Sequence, residues 1–516
     1  MDVADITLIG SGVASSLTLI EVLGGLLNSP AGKKITIAVI EKNNEFWKGV
    51  PYGSRSSVNA LTITSVYDFI NEKERPLFFE WLKSNKQDWS SWYRGQGGIT
   101  AARWLDNNLP LIDKEDWETV YVPRFLFGNY VQQKLASLIK AAAEKQLAEV
   151  KLIHAEATDV RMNGEDLYEI ALEYPDLSES TVTSRKVVIA AGSPPVRKMC
   201  DLQAEAVVYI NDIYEPSVVE NTKLLETSLK NTGSEAGNNV LIIGSNASSI
   251  EWLYLLEGLP HLRKLVNKTV IISPSGSLPI HISTEVLSEH PTPNIDKIKA
   301  GEKYTIKTLS DAAAADIKLA LQNGANMDYV ATVISATLAL MEPLGEEAKK
   351  EFYCIHGIKL RDSFRRSGPE YKGISQLLID AEEATVIKGR FINSEPSGNG
   401  AVLHYQDANG QLQTYPLTFK AIINCSGSDN LDQSSSRLLY NIVNNGLCKM
   451  NLSGKGIEVS EKFEAAPNLY VMGPLLAGNV NKRIHFWQLE NASRLTYLAP
   501  FLATELLATA NVERVY

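Results

Sequence analysis

Short runs of aliphatic residues recur along this chain, and several of them end at a glycine. The first run, residues 6–9, leads into Gly10 and then into an apolar helical pattern, and residues 35–40 form the next run. A continuous apolar run of this length, bounded by turn residues, is typical of a strand that is buried on both faces of a parallel sheet. The order of strand, glycine turn, helix and strand predicts a βαβ unit at the start of the chain.

The turn of this unit has the pattern of a dinucleotide-binding fingerprint. Gly10 permits a tight turn, Gly12 lets the backbone approach a pyrophosphate at the helix N-terminus, and Ser15 stands in place of the third glycine. Glu41, at the end of the second strand, can accept hydrogen bonds from a ribose diol. A glycine-rich turn without a ligand is the alternative. The pattern predicts a cofactor site formed by Gly10, Gly12, Val13, Ala14, Ser15 and Glu41.

A second unit of the same kind begins at residues 239–243. Its turn keeps only the first glycine, and a helical pattern and a strand at 269–272 follow. The apolar runs 186–189 and 421–423 each lead into small residues and glycine, which suits a chain that crosses between two nucleotide-binding domains. Two such sites favour a flavin that faces a nicotinamide, and a duplicated fold with one inactive site is the alternative. The candidate cofactor-binding residues here are Gly192, Gly244, Asn246, Ala247 and Ser248.

The end of the strand at 269–272 bears on the choice of nicotinamide. Residues 273–277 read Ser-Pro-Ser-Gly-Ser and contain no carboxylate, which would repel the 2′-phosphate of NADPH. The sequence therefore favours NADPH over NADH. Arg361, Arg365 and Arg366 form a basic cluster downstream. This cluster is either a solvated helical face or an anion site for a 2′-phosphate or an acidic substrate.

The length of the chain and the order of its units predict the domain organisation. At 516 residues the chain exceeds what one hydrophobic core usually supports. We predict an α/β fold of two Rossmann-like dinucleotide-binding domains, one for FAD at 1–212 and 429–516 and one for NAD(P)H at 213–428. A helical insertion is expected at about 278–373, and the polar stretch 221–237 is expected to be a linker.

Composition excludes several functional classes. Hydrophobic residues make up 44% and charged residues 21%, as in an ordinary soluble globular protein, and a net charge of −10 disfavours nucleic-acid binding. No charge-free apolar run reaches about 18 residues, and residues 1–5 are acidic where a signal peptide is basic. We therefore expect a cytoplasmic protein without a membrane span. The four cysteines form no CxxC motif and the seven histidines lack ligand spacing, so neither a redox dithiol nor a metal site is expected.

Motifs after the first unit carry a family resemblance. Residues 46–53 read Phe-Trp-Lys-Gly-Val-Pro-Tyr-Gly, residues 58–61 Val-Asn-Ala-Leu, and residues 122–130 begin Val-Pro-Arg-Phe-Leu-Phe. Together with Pro-Asn-Leu-Tyr-Val-Met-Gly at 467–473, they resemble FAD/NAD(P)-binding flavoproteins related to class B and siderophore-type N-hydroxylating monooxygenases. The resemblance covers most of the chain and implies FAD and NADPH as cofactors. It implies cofactor contacts from Trp47, Gly49, Asn59, Arg124 and Gly473.

The same resemblance implies the chemistry. In such enzymes the reduced flavin reacts with molecular oxygen to give a C4a-hydroperoxide, and the protein excludes water and holds the nicotinamide nearby. The resemblance places Lys48 and Asn59 near the reacting centre, and His485, in a segment expected to open the last helix, is a further catalytic candidate. A packed or exposed histidine, a solvated Lys48, a turn-forming Asn59 and an ion-paired Arg124 are the alternatives.

Three functional classes follow from these residues. The first is an NADPH-consuming flavin monooxygenase of secondary metabolism that N-hydroxylates a small amine or an amino-acid-derived metabolite. The second is an FAD-dependent dehydrogenase or reductase that inserts no oxygen. The third is a noncatalytic flavin-binding protein. The sequence decides neither the substrate nor the oligomeric state.

Overall fold

The computed structural model describes residues 3–29, 33–202, 207–230, 237–282, 291–488 and 491–508. The described strands are β1 Ala4–Ile9, β2 Ile35–Glu41, β3 Ala148–His154, β4 Glu156–Met162, β5 Tyr168–Glu173, β6 Glu179–Ile189, β7 Val208–Ile210, β8 Asn239–Ile243, β9 Lys268–Ser273, β10 Ala384–Lys388, β11 Arg390–Ser397, β12 Gly400–Gln406, β13 Leu412–Phe419, β14 Ala421–Asn424, β15 Glu464–Ala466 and β16 Leu469–Val471.

The described α-helices are α1 Val13–Asn28, α2 Gly49–Tyr52, α3 Val66–Phe69, α4 Arg75–Ser84, α5 Lys86–Gln96, α6 Gly98–Asp113, α7 Arg124–Glu144, α8 Val218–Lys230, α9 Ala247–Gly258, α10 Pro260–Leu265, α11 Pro293–Lys299, α12 Ile306–Gln322, α13 Met327–Met341, α14 Glu346–Glu351, α15 Gly357–Arg361, α16 Pro369–Asp380, α17 Arg437–Asn444 and α18 Ala492–Ala508.

The first sheet is built around β1. The strand order is β15-β16-β6-β1-β2-β3, and the neighbours from β16 to β3 are all parallel. β4 and β5 extend it by antiparallel pairing onto β6. Every residue of β1 and β2 except one in each strand is buried, which explains their nearly continuous apolar sequences. The predicted βαβ unit is β1, α1 and β2.

The second sheet repeats the first. Its order is β10-β9-β8-β14-β7 with all neighbours parallel, so β8, β9 and β14 correspond to β1, β2 and β6. The register matches as well, because Ile9 pairs with Ile40 in the first sheet and Ile243 with Ile272 in the second. The α/β fold with two Rossmann-like domains is therefore confirmed. The boundary at 212 stays a prediction; β7 already belongs to the second sheet.

Along the chain, a group of helices separates β9 from β10. Helices α11 to α15 share a hydrophobic core of their own, whose buried members include Ile295, Leu309, Val330 and Phe352. A π-helical turn, Phe352–His356, joins α14 to α15. Helix α16 then packs on α9 and leads into β10, as α7 leads into β3 in the first domain. These helices occupy the segment for which a helical insertion was predicted.

The expected linker at 221–237 is wrong for its described part. Residues 218–230 form helix α8, and residues 231–236 lie outside the described residues. The buried residues Val218, Thr222, Leu225 and Leu229 recur at helical spacing and give α8 one buried face. The polar composition of the exposed face concealed this pattern.

The last helix also begins later than expected. Residues 483–488 do not open it, because α18 starts at Ala492. The side-chain oxygen of Asn481 accepts the backbone N–H groups of Arg483 at 3.0 Å and Ile484 at 2.8 Å. An asparagine that captures the following N–H groups favours a turn over a helix.

The described residues show three further features, which concern the cysteines, membrane spans and metal sites. All four cysteines are buried and free. No described helix has the length and apolar character needed to cross a membrane. Among the described side chains, no cluster of three or more histidine, cysteine or acidic residues is arranged to hold a metal ion.

Candidate functional site

The first glycine turn lies against the end of β6. Gly10 has a φ of 90°, and a Cβ atom there would lie 2.5 Å from the carbonyl oxygen of Ala190. Its N–H donates to the carbonyl oxygen of Ile40 at 2.8 Å, and its own carbonyl accepts the hydroxyl of Ser15. Only glycine combines this φ with so close an approach. The tight turn expected at Gly10 is present.

Helix α1 begins at an N-terminus that no described side chain caps. Gly12 is the N-cap residue, and a Cβ atom on it would have one neighbour within 4 Å, the Cα of Gly49 at 3.6 Å. The first-turn N–H groups, which begin with Val13 and Ala14, can therefore receive the oxygens of a diphosphate. This open, uncapped helix N-terminus fits the FAD site that the sequence predicts.

Glu41 is fixed at the end of β2. Its Oε2 accepts both the backbone N–H and the hydroxyl of Ser11 at 2.9 Å. Its Oε1 accepts the backbone N–H and the side-chain amide of Asn43 at 3.0 Å. A carboxylate offers about four acceptor positions. A ribose diol would therefore take the place of the Ser11 hydroxyl or the Asn43 amide as donor.

The loop that contains Trp47, Lys48 and Gly49 lies beside α1. Trp47 is buried with a φ of 82°, and its carbonyl accepts the hydroxyl of Ser16 at 2.9 Å. A Cβ atom on Gly49 would lie 3.0 Å from the Cα of the α1 N-cap residue. The Lys48 ammonium is 3.3 Å from Glu45. Trp47 and Gly49 are thus close to the proposed diphosphate position, and Lys48 is engaged in an ion pair.

Of three other predicted residues, Gly473 contacts the start of α1. The Asn59 amide donates to the carbonyl oxygen of Gly97 at 3.0 Å, and its Oδ1 is buried without a hydrogen-bond partner in the described part of the chain. Gly192, with a φ of 83°, faces open space. Gly473 has a φ of 94°, and a Cβ atom on it would lie 3.2 Å from that of Ala14. The end of β16 therefore meets the start of α1.

The second glycine turn repeats the geometry of the first. Gly244 has a φ of 105°, and a Cβ atom on it would overlap the carbonyl oxygen of Cys425. Cys425 follows β14 as Ala190 follows β6. The two fingerprint glycines, Gly10 and Gly244, therefore make the same contact with equivalent crossing strands. Although its sequence keeps only the first glycine of the fingerprint, the second turn has the same backbone conformation as the first.

The second helix N-terminus is also uncapped. Asn246 is the N-cap residue of α9, and no side chain makes a capping hydrogen bond there. The first turn begins with Ala247 and Ser248, and the hydroxyl oxygens of Tyr214 and Ser248 lie 3.4 Å apart. The N–H groups of this turn can receive a second diphosphate.

Ser273 occupies the position that Glu41 holds in the first domain. Each residue directly follows the matched isoleucine at the end of the second strand. The Ser245 hydroxyl donates to that of Ser273 at 2.8 Å, as Ser11 donates to Glu41. A hydroxyl at this position presents no negative charge to a 2′-phosphate.

The side chain of Arg365, in the helical insertion, reaches the end of β9. One terminal nitrogen donates to the carbonyl oxygen of Ser245 at 2.9 Å and to Oδ1 of Asn246 at 2.8 Å. The other donates to the Ser275 hydroxyl and the Ser277 carbonyl, both at 3.0 Å. Burial lowers the pKa of Arg365. The solvated helical face is therefore wrong for Arg365, because this residue follows the helical turns and its guanidinium contacts the second glycine turn.

A buried ion pair joins the two domains. The Arg124 guanidinium at the start of α7 donates to Glu251 of α9 at 2.8 Å and to the Ser56 hydroxyl at 2.8 Å. The Tyr214 hydroxyl donates to the same carboxylate oxygen of Glu251 at 2.6 Å. Nε of Arg124 and the other oxygen of Glu251 are buried without a partner among the described residues. Arg124, predicted near a cofactor, is thus held in a cluster that spans both domains.

The charges of this cluster depend on each other. Burial alone would lower the pKa of Arg124, but the Glu251 carboxylate outweighs it and the pKa is raised. Burial, followed by the charge of Glu251, raises the pKa of Tyr214 well above its usual value. Tyr214 therefore stays a neutral donor.

His485 lies at the surface, away from these contacts. It is exposed, and its ring stacks on that of Phe486 with centroids 5.1 Å apart. No hydrogen bond to its ring occurs within the described ranges, and its backbone pairs with Val480 in an antiparallel bridge. A catalytic role for His485 stays a prediction without structural support.

Sequence reasoning missed Glu251 and assigned Arg365 only as one of several arginines. Glu251 was detectable in part, because a single carboxylate in the apolar helical pattern 250–256 requires a buried partner. Arg365 carried no such signal, since it lies in a segment without regular periodicity and 88 to 120 positions from the serines it contacts.

Comparison with known proteins identifies the family. A model described as FAD-NAD(P)-binding matches residues 7–194. A protein of Mycobacterium tuberculosis strain H37Rv, itself uncharacterized, is 36% identical over 514 residues, which cover 98% of this chain and 95% of the relative. The chain belongs to the FAD-NAD(P)-binding family. The sequence-based resemblance and the predicted pairing of FAD with a nicotinamide cofactor are confirmed at this level.

Solved structures show the same fold in this FAD-NAD(P)-binding protein and in N-hydroxylating enzymes. The ornithine N-hydroxylase of Kutzneria sp. 744, with reduced FAD, NADP⁺ and L-ornithine, matches with a TM-score of 0.56 and 15% identity, covering 99% of this chain and 100% of that one. The FAD-bound cadaverine monooxygenase of Erwinia amylovora matches with a TM-score of 0.53 and 12% identity, covering 98% and 95%.

Removing the buried carboxylate should destabilise this FAD-NAD(P)-binding protein strongly. In Glu251→Ala the Arg124 charge stays buried without a negatively charged partner, and such a loss costs about 3–5 kcal/mol of the free energy of unfolding. The urea midpoint of the FAD-loaded protein measures it. Asp106→Ala, which removes an exposed partner of Arg94, is the control and should cost under about 1 kcal/mol. Equal midpoints for the two variants would contradict the role assigned to Glu251.

Proposed function

We propose that this protein is an FAD-dependent, NADPH-consuming monooxygenase that N-hydroxylates a small amine or an amino-acid-derived metabolite. The observation that supports it most is the repeated site: two glycine turns of the same geometry, each before an uncapped helix N-terminus. The second carries Ser273 and Arg365 where a 2′-phosphate is expected.

The state of the cysteines favours oxygen or an organic substrate as the electron acceptor. All four are free, and burial raises the pKa of Cys425 and of Cys448, the latter to about 12. A buried thiol with a raised pKa is a poor nucleophile, because the thiolate is the reactive form. A dithiol relay of the disulfide-reductase type is therefore not supported.

The proposed roles of the protein are binding, positioning and exclusion of water. The α1 N-terminus and Glu41 would hold FAD, which when bound and reduced supplies the electrons that activate oxygen. The Asn246 turn and Arg365 would hold NADPH. Gly357 of the insertion lies against the ring of Trp487, in the segment that follows Gly473.

Two hydrogen bonds also join the insertion to the segment that follows Gly473. The thiol of Cys354 donates to the carbonyl oxygen of Gly478 at 3.3 Å, and Arg361 donates to the Gln488 side chain at 2.8 Å. Contacts of this kind would help to limit the access of water to the reacting atoms. The amine substrates named for the two structural neighbours support the same substrate class here.

Product analysis with labelled oxygen tests the proposal. In the reaction, NADPH gives two electrons, one oxygen atom bonds to the amine nitrogen and the other leaves as water. With ¹⁸O₂ and a panel of amines and amino acids, we expect a hydroxylamine that carries one labelled atom, formed with NADPH consumption. Substrate oxidation or reduction that proceeds equally under nitrogen would instead favour the dehydrogenase or reductase class, for which the same two nucleotide sites suffice.

A further inference from the structure

The backbone around Tyr214 is attached to the first domain. Tyr214 follows β7 of the second domain, and its carbonyl oxygen accepts the Nε–H of Arg55, from the first domain, at 2.9 Å. Arg55 also forms an ion pair with Glu215, and its carbonyl oxygen accepts the backbone N–H of Val218 at 2.9 Å. These contacts join the two domains without using the Tyr214 side chain.

The loop that carries Tyr214 is also fixed within the second domain. The side-chain amide of Asn221, in α8, donates to the carbonyl oxygens of Ile213 and Glu215, both at 2.9 Å. The backbone N–H of Tyr214 donates to the Asp212 carboxylate at 2.9 Å. Hydrogen bonds that hold the supporting backbone in this way give a side chain a defined position.

The Tyr214 hydroxyl connects the buried ion pair to the first turn of α9. It donates its one proton to Glu251 at 2.6 Å, so its oxygen can accept the hydroxyl of Ser248, 3.4 Å away. The same oxygen of Glu251 accepts Arg124, of α7, at 2.8 Å. A chain of polar contacts therefore runs from the proposed diphosphate position at Ser248 to the first domain.

The segment of the first domain that receives this chain is held at its other end as well. Arg124 donates to the Ser56 hydroxyl at 2.8 Å, and the N–H of Leu61 donates to the hydroxyl oxygen of Tyr371, in α16, at 2.7 Å. Asn59, which the family resemblance places near the reacting centre, lies between these two contacts. The second domain is therefore fixed relative to the segment that contains Asn59.

We propose that Tyr214 is a positioning residue, which aligns a nicotinamide bound at the first turn of α9 with FAD in the first domain. In flavin reduction a hydride, which is one proton with two electrons, passes from NADPH to FAD and leaves NADP⁺. The rate of such a step depends on the placement of the reacting atoms, and a displacement of about 1 Å can lower it about 100-fold. Monooxygenases and reductases share this step, so the inference does not rest on N-hydroxylation.

Tyr214→Phe tests the proposal, because it removes the hydroxyl and keeps the ring. Anaerobic reduction of the FAD-loaded protein is followed in a stopped-flow instrument over a range of NADPH concentrations. We expect the rate at saturating NADPH to fall about tenfold or more. The Kd for NADP⁺, measured by calorimetry, should change less than about twofold, because the N–H groups of α9 that would hold the diphosphate are unchanged.

A spectroscopic measurement reports the alignment without turnover. When NADP⁺ stacks on reduced FAD, the two rings give a long-wavelength charge-transfer absorbance whose intensity depends on their overlap. At saturating NADP⁺ we expect a weaker band in Tyr214→Phe than in the native protein. A role of Tyr214 in stability alone would not change this band.

Tyr304→Phe is the matched control, because it also removes the hydroxyl of a half-buried tyrosine. That hydroxyl donates to the carbonyl oxygen of Leu340 at 2.8 Å, within the insertion. The control should keep the native rate and the native charge-transfer band. The urea midpoints of the two variants should be similar, since Glu251 keeps Arg124 as its charged partner in Tyr214→Phe.

A second variant tests the attachment of the Tyr214 backbone. Arg55→Gln removes the ion pair with Glu215 and weakens the contact with the Tyr214 carbonyl. It should lower the saturating rate and the charge-transfer band in the same way, with little change in the Kd for NADP⁺. FAD content verifies folding, and Arg55→Gln decides the question if Tyr214→Phe does not fold.

The outcomes separate this inference from the proposed function. An unchanged saturating rate in Tyr214→Phe, or a fall matched by an equal loss of NADP⁺ affinity, would overturn the positioning role. An equal fall in Tyr304→Phe would overturn it too. A lower rate and a weaker band in Tyr214→Phe, in a protein that hydroxylates no amine, would support the positioning role and refute the proposed function.

Discussion

Replacing Gly12 with valine should give a folded protein that does not retain FAD. The added Cβ has only the Cα of Gly49 within 4 Å, so the backbone accepts it. The branched side chain then fills the space in front of the α1 N-terminus, where the diphosphate is expected. We expect FAD affinity to fall more than about 100-fold, or about 2.7 kcal/mol.

The FAD content of the purified chain, read from the flavin absorbance after desalting, measures this effect. Gly24→Val is the matched control, because Gly24 lies further along the same helix and a Cβ there has no neighbour within 4 Å. The control should keep its flavin. Full occupancy in the Gly12 variant would show that the diphosphate does not lie at this turn.

Replacing Arg365 with glutamine should reduce the preference for NADPH over NADH. A hydrogen bond to a charged group contributes about 1.5–3 kcal/mol, so the ratio of kcat/KM for NADPH to that for NADH should fall roughly 10- to 100-fold. Adding Ser273→Asp should lower the ratio further, because it restores a carboxylate at the position equivalent to Glu41.

Anaerobic reduction of bound FAD by each nicotinamide, followed in a stopped-flow instrument, gives both rates without contributions from oxygen. Arg94→Gln serves as the control, since it removes a similar charge from the exposed surface of α5. A ratio that is unchanged in the Arg365 variant would place the 2′-phosphate elsewhere.

The features that the sequence predicted well are encoded within a few consecutive residues. At Gly10 and Gly244, a strand, a glycine with positive φ and a helix N-terminus follow one another directly, so local pattern and local geometry coincide. The same holds for Glu41 and the serines after β9.

The features that the sequence did not predict depend on distant contacts. Arg124 and Glu251 are separated by 127 positions and meet only because α7 and α9 are brought together. Helix α8 was concealed by its polar face, and the turn at Asn481 replaced an expected helix because one side chain accepts two backbone N–H groups. The periodicity of apolar residues shows which face of a helix is buried, but it does not show which element packs against that face.

Reoxidation of the NADPH-reduced protein by oxygen tests the central claim most directly. If the two nucleotide sites serve an oxygenase, mixing with oxygen in a stopped-flow instrument should give a spectrally distinct species before oxidised FAD returns. Its lifetime should increase when NADP⁺ is bound, because the nicotinamide would shield the flavin from water. Single-step reoxidation with release of peroxide, unaffected by NADP⁺ and by any amine tested, would contradict the account.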